Sequence, residues 1–135
     1  MPNFSKQEFE KQYNEIKSIY SPFFDENILF GLDGWSHLLK SKGVPRAEEE
    51  FLARFKLLDI GCELLKKNFP PTEYSRRDYD NNYSVEFYSF IYAYQHQNGE
   101  EFRIKMVIRE KPNKPKHFFS LIKMKHNRFQ NKETP

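Results

Sequence analysis

One cysteine in 135 residues leaves no partner for an internal disulfide, and Cys62 is easily reconciled with a reducing compartment. Long apolar runs are missing too. No stretch approaches the ~20 residues of a membrane helix, and the N-terminus lacks the basic-then-apolar order of a signal peptide. The chain is expected to be soluble and cytosolic with no membrane partner; an export signal would lie outside this sequence. Glycine numbers only 5, and no glycine-rich phosphate loop, Gly-x-Ser-x-Gly turn, Cys-x-x-Cys pair or His-x-x-x-His pair occurs. The four histidines, His37, His96, His117 and His126, are scattered. A P-loop, a nucleophile elbow and the common zinc arrangements are thereby excluded, and neither metal nor cofactor is expected.

Aromatic rings are plentiful. With 38% hydrophobic residues, 14 Phe and 8 Tyr, the length suits one compact domain with a ring-built core. The net charge is a modest +3, but it is unevenly spread. From Glu101 to Arg128 the cations Arg103, Lys105, Arg109, Lys111, Lys114, Lys116, Lys123, Lys125 and Arg128 face only Glu101 and Glu110. Such a basic portion suits RNA, DNA or an acidic protein surface.

Helix signals dominate the first half. Ser5 as N-cap, Glu8 three residues on, and Phe4 with Phe9 as a staple predict a helix from about Lys6 to Tyr20 with a stripe of Phe9, Tyr13, Ile16 and Ile19 or Tyr20. Pro22 stops it, and Ser21 to Asn27 is expected to be a connector. Asp33 or Ser36 is placed to cap a short helix carrying Trp35, His37, Leu38 and Leu39, with Gly43 ending it. A third helix should follow Pro45 to about Lys67, since Phe51, Phe55, Leu58, Cys62 and Leu65 form one apolar stripe behind the first-turn Glu48, Glu49 and Glu50. Gly61 costs that helix about 1 kcal/mol, which a close approach to a neighbour would offset.

Strand signals take over after Pro70-Pro71. Thr72 to Tyr83 is polar and expected as the longest loop, with room for a hidden strand. Val85 to Tyr94 alternates Val85, Phe87 and Ile91 against Tyr88, Phe90, Tyr92 and Tyr94. Asn98-Gly99 signals a hairpin. Glu101 to Arg109 then sets Phe102, Ile104, Met106 and Ile108 on one face and Arg103, Lys105, Val107 and Arg109 on the other, with next-but-one side chains about 7 Å apart, a spacing similar to that of nucleic-acid phosphates. In a last strand Phe118, Ser120, Ile122 and Met124 are expected opposite Phe119, Leu121, Lys123 and Lys125. The fold class is α+β: N-terminal helices packed on a small twisted antiparallel sheet, a meander of three to four strands. Residues 1–27 form a helix and connector, 28–125 the core, and 126–135 a flexible basic tail.

What remains chemically are groups suited to phosphoryl transfer on RNA without a metal: a base for the ribose 2′-OH, an acid for the leaving 5′-oxygen, and cations for the phosphate. His37, Lys105 with Arg103 or Arg109, and Ser120 with His117 supply them. Each also has an ordinary structural role available: helix packing for His37, solvation for His117, a backbone partner for Ser120.

The order of Gly-Trp-Ser-His-Leu-Leu (34–39), a second long helix, Phe-Arg-Ile-Lys-Met-Val-Ile-Arg (102–109) and His-Phe-Phe-Ser-Leu-Ile-Lys (117–123) resembles the barnase, EndoU, colicin and RelE class of ribonucleases, in its phage-associated and polymorphic-toxin forms. The resemblance covers about Ile28 to Lys125 and rests on short motifs and layout. It implies metal-independent RNA cleavage, with catalytic roles for His37, Lys105, Arg103 and Ser120 and RNA contacts from Arg109, Lys123, His117 and Lys42. It departs from the family in offering only Lys42 where a second basic or histidine residue closely follows the first. It also implies an acidic immunity protein or antitoxin as partner. The alternative is a non-catalytic module that binds RNA or an acidic protein through a basic sheet face.

Overall fold

The computed structural model describes residues 6–95, 99 and 101–124. Expectations placed on Phe4, Ser5, His96, Asn98, Lys125, His126, Arg128, the 126–135 tail and the Tyr94 side chain lie outside the described residues.

Helix α1 (Lys6–Ile16) ends four residues before the periodicity of its stripe does. Lys17 takes the left-handed conformation at φ 60, which closes helices, and its carbonyl accepts the Phe30 N–H at 2.8 Å. The expected continuation to Tyr20 and the start of the expected connector instead form strand β1 (Ser18–Ser21), antiparallel to β2 (Glu26–Leu29). Pairing across this hairpin satisfies the backbone of a stretch whose alternation is too short to see in the sequence. Tyr13, fully buried, donates its hydroxyl to the Gly31 carbonyl at 2.8 Å and ties α1 to the start of α2 (Leu32–Leu39). Neither Asp33 nor Ser36 caps α2, because the N-cap position falls on Gly31.

Strands β3 (Lys40–Ser41) and β4 (Val44–Pro45) form a small hairpin turned by Lys42 and Gly43, both at positive φ. Helix α3 (Glu48–Leu65) buries Phe51, Leu58, Cys62 and Leu65 of its predicted stripe, with Phe55 half-buried. Burial pushes the Cys62 thiol up to about 12, so it packs as a neutral group.

The sheet differs from the predicted meander in extent. Strands β5 (Glu73–Tyr79), β6 (Tyr83–Gln95), β7 (Glu101–Glu110) and β8 (His117–Met124) do form an antiparallel run, with β5 inside the polar stretch that left room for a strand. The β1–β2 hairpin then joins β8 through a parallel bridge, Leu29 to His117. The result is one curled, mixed, six-stranded sheet of order β1-β2-β8-β7-β6-β5. The β1–β2 hairpin is therefore part of the core sheet. Phe102, Ile104, Met106 and Ile108 of β7 are buried among the helices, as their alternation predicts.

The alternation predicted for β8 fails, and the failure builds the site. Val107 pairs with Ser120 and Ile108 with Phe118, so Phe119 is an extra residue in a β-bulge. Simple alternation would put His117 on the same face as Leu121, in the core. The bulge instead sends Phe118 into the core beside Leu121 and brings His117 opposite Arg109.

Gly61 meets its neighbour as expected: an added Cβ would lie 2.8 Å from Met106 Cε and 3.1 Å from Met106 Sδ. The methionine tip can move, and alanine gains about 1 kcal/mol of helix propensity. Gly61→Ala is therefore expected to stay within about 1 kcal/mol of the parent in urea unfolding.

Candidate active site

Asp33 and His37 are one turn apart on α2 and share a side of the helix. Gly34 lets that helix lie directly against β8: an added Cβ would sit 2.3 Å from Phe118 Cδ2. His37 then reaches the bulged Phe119, with ring centroids 4.1 Å apart. Arg46 holds the His37 carbonyl with Nε and Nη2 at 3.1 and 3.0 Å, and is itself paired with Glu50 at 3.5 Å. The histidine backbone is thus fixed from outside the helix.

Arg109 is the hub of the cluster. Its guanidinium lies 4.2 Å from the Phe119 ring centroid, Nε–H donates to His117 Nε2 at 3.0 Å, and Nη2 reaches Asp33 Oδ2 at 2.5 Å. The same carboxylate oxygen lies 3.6 Å from Lys111 Nζ and 3.7 Å from His117 Nε2. Phe87 supports Phe119 from β6, with ring centroids 5.7 Å apart. Arg109 of β7, Lys111 of the following turn and His117 of β8 thus gather around one anionic oxygen, whose residue stays half exposed.

Both histidines titrate below the ordinary value of 6.5. For His37 the first cause is burial, followed by the charges of Arg109 and Arg46, with Asp33 opposing them. For His117 burial again leads and Arg109 follows, against Asp33 and a hydrogen bond to the Pro115 carbonyl. A neutral His117 carrying its proton on Nδ1 is the form that can accept from Arg109 at Nε2.

The sequence-predicted residues divide into three groups. His37, His117 and Arg109 come together. Arg103, Lys105 and Ser120 share the sheet face of Arg109 but sit further along it. Ser120 stands opposite Val107, Lys105 pairs with Glu73 at 3.3 Å, and Lys105 is about 13 Å along the strand from Arg109. Lys123 and Lys42 lie elsewhere: Lys123 is over the Phe102 ring at 4.4 Å on the helix-covered face, and Lys42 is exposed in the β3–β4 turn.

Sequence reasoning gave Asp33 only a capping role and Phe119 a plain strand position. The Asp33-to-His37 spacing was the available signal for the first. Nothing in His117-Phe118-Phe119-Ser120 announces a bulge. Among the described residues no group of three His, Cys, Asp or Glu side chains is placed to hold a metal ion, and no helix is long and apolar enough to cross a membrane. No protein-family model, curated protein or solved structure matches the chain. The site's function therefore rests on its own chemistry.

Proposed function

We propose that this protein is a metal-independent endoribonuclease, a toxin or effector domain acting through the cluster at the β8 bulge. The observation that carries the reading is the convergence of Arg109, Lys111 and His117 on one oxygen, Asp33 Oδ2, at 2.5 to 3.7 Å, beside a second histidine packed on Phe119. A carboxylate oxygen held by the cations of Arg109 and Lys111, beside the neutral His117 imidazole, occupies the position suited to a phosphate oxygen.

In this reading the scissile phosphate displaces Asp33 from Arg109 and Lys111. Arg109, turned toward the phosphate, releases His117 Nε2, which takes the proton of the ribose 2′-OH. The 2′-oxygen attacks phosphorus and the bond to the 5′-oxygen breaks as His37 protonates it. The products are a 2′,3′-cyclic phosphate and a 5′-hydroxyl end. Arg103, Lys105 and Ser120 contact RNA further along the same face. An acidic immunity protein or antitoxin would neutralise the same cations.

The pH profile follows from the histidine environments. The acid must be protonated and the base neutral, and both groups titrate below 6.5 in the free protein. The kcat/KM optimum is therefore expected below about pH 6.5, with loss on the alkaline side as the acid deprotonates. A bound phosphate raises both histidines, so the kcat profile should lie at higher pH. Initial rates from about pH 4.5 to 9 check this; an optimum near pH 8 for kcat/KM would contradict it.

The proposal is tested with an RNA oligonucleotide cut at one bond and its analogue carrying a 2′-deoxy sugar at that nucleotide. The analogue should survive, whereas cleavage of both at equal rates would mean that the 2′-OH is not the nucleophile. The row Arg103, Lys105 and Arg109 on one face also supports the second reading, a non-catalytic binding module. Under it His37→Ala leaves salt-dependent RNA binding intact and no cleavage occurs in any variant.

A further inference from the structure

Beside the cluster, a cavity of about 260 Å³ opens between the start of α2 and the β7–β8 turn. Leu29, Gly31, Leu32 and Asp33 line one part, and Lys111, Lys114, Pro115 and His117 the other. We propose that this cavity is a base-binding subsite for the nucleotide next to the scissile phosphate; the assignment rests on the ribonuclease reading above.

Its composition suits that ligand. Leu32 is 81% exposed and Leu29 41% exposed, so both side chains are open to a ligand from solvent. With Pro115 they offer apolar contact to the faces of a heterocycle, and Lys111 and Lys114 supply charge for its phosphate. The volume falls just below the range of small-molecule pockets, about 300 to 1,000 Å³, which leaves room for one base and none for a folded partner. The position matters as much. Asp33, Lys111 and His117 belong both to the cavity and to the oxygen-centred cluster, so a phosphate in the cluster has a base delivered to the cavity.

Gly31 keeps the cavity open. Its backbone, φ −123 and ψ −159, is extended and accepts any side chain, and an added Cβ meets nothing within 4 Å. Neither conformation nor packing requires glycine there. A larger residue fills the subsite without disturbing the core.

The test compares inorganic phosphate with adenosine and uridine 3′-monophosphates, by calorimetric or NMR titration, on the wild type, Leu32→Ser and Gly31→Val. The wild type should bind at least one nucleotide about tenfold tighter than phosphate, as burying part of a base against the two leucines and Pro115 allows. Both variants should lose that increment while keeping phosphate affinity, with Gly31→Val melting a few degrees lower for its apolar N-cap. Nucleotides bound no tighter than phosphate, or an increment that survives in both variants, would overturn the subsite. RNA cleavage is followed in parallel. Cleavage by all three proteins at equal KM sinks the subsite and spares the nuclease reading; selective nucleotide binding without cleavage does the reverse.

Discussion

Arg109→Ala is expected to lower kcat/KM for RNA cleavage by about 10²- to 10³-fold, the scale of removing one preorganised donor from a developing charge. The guanidinium is stacked on Phe119, hydrogen-bonded to His117 and paired with Asp33, with its side chain only 15% exposed. The stack on Phe119 keeps it at the Asp33 Oδ2 position that the phosphate oxygen takes, while its Nε–H passes from His117 to the phosphate. Its charge is also the first neighbouring charge that lowers both histidines. Truncation therefore has a second signature: His37 and His117 move up toward 6.5, and the residual kcat/KM optimum shifts to higher pH. Arg109→Lys should recover little, because one ammonium cannot stack on Phe119 while donating to both His117 and Asp33. Steady-state rates across pH measure both effects. A loss of activity with an unmoved optimum would contradict the assigned electrostatics.

Gly34→Ala should destabilise the protein by about 2 kcal/mol, although alanine favours helix by about 1 kcal/mol. The added Cβ would lie 2.3 Å from Phe118 Cδ2 and 2.5 Å from the Tyr13 hydroxyl. Neither ring is free to yield. Phe118 is fully buried and stacked on Phe30 with centroids 5.1 Å apart, and Tyr13 donates to the Gly31 carbonyl at 2.8 Å. The expected drop in melting temperature is about 5 to 10 °C. The only relief is to push α2 off β8, and α2 carries His37. Even a displacement of about 1 Å would separate His37 from Phe119 and cost about 10²-fold in rate. Urea unfolding and cleavage rates of the variant check the two consequences; an unchanged midpoint would show that the contact relaxes. The contrast with Gly61, whose close neighbour is a methionine tip, separates a rigid close approach from a soft one.

The elements with strong periodicity were visible in the residues alone. The α3 stripe from Phe51 to Leu65 and the buried set Phe102, Ile104, Met106 and Ile108 stand where their spacing puts them. Gly61 was recognisable as a close contact, and the polar stretch before Val85 as room for a strand. Short-range pairing was not visible. Ser18–Ser21 continues a helical stripe on paper and becomes a strand because Glu26–Leu29 lies ready to pair with it. That hairpin and its parallel bridge at Leu29 make the sheet six-stranded and mixed.

Within the site, His37, His117 and Arg109 were singled out by residue type, but their meeting depends on Phe119. One inserted residue reverses the facing of His117 and Phe118, and the alternation of Phe118 to Lys123 gives no hint of it. Lys105 was favoured by the alternating cations of its strand, and Ser120 as a hydroxyl in an apolar run and by the ribonuclease resemblance. Both stay on the sheet face, apart from the oxygen-centred cluster.

The most direct measurement is incubation of the purified protein with total cellular RNA in EDTA, the wild type beside His37→Ala and His117→Ala, with fragment ends mapped. Discrete cleavage that persists in EDTA, leaves 2′,3′-cyclic phosphate and 5′-hydroxyl ends, and disappears in both variants is the expected result. Intact RNA at generous protein concentration, or cleavage undiminished in both histidine variants, would contradict a ribonuclease site at the β8 bulge.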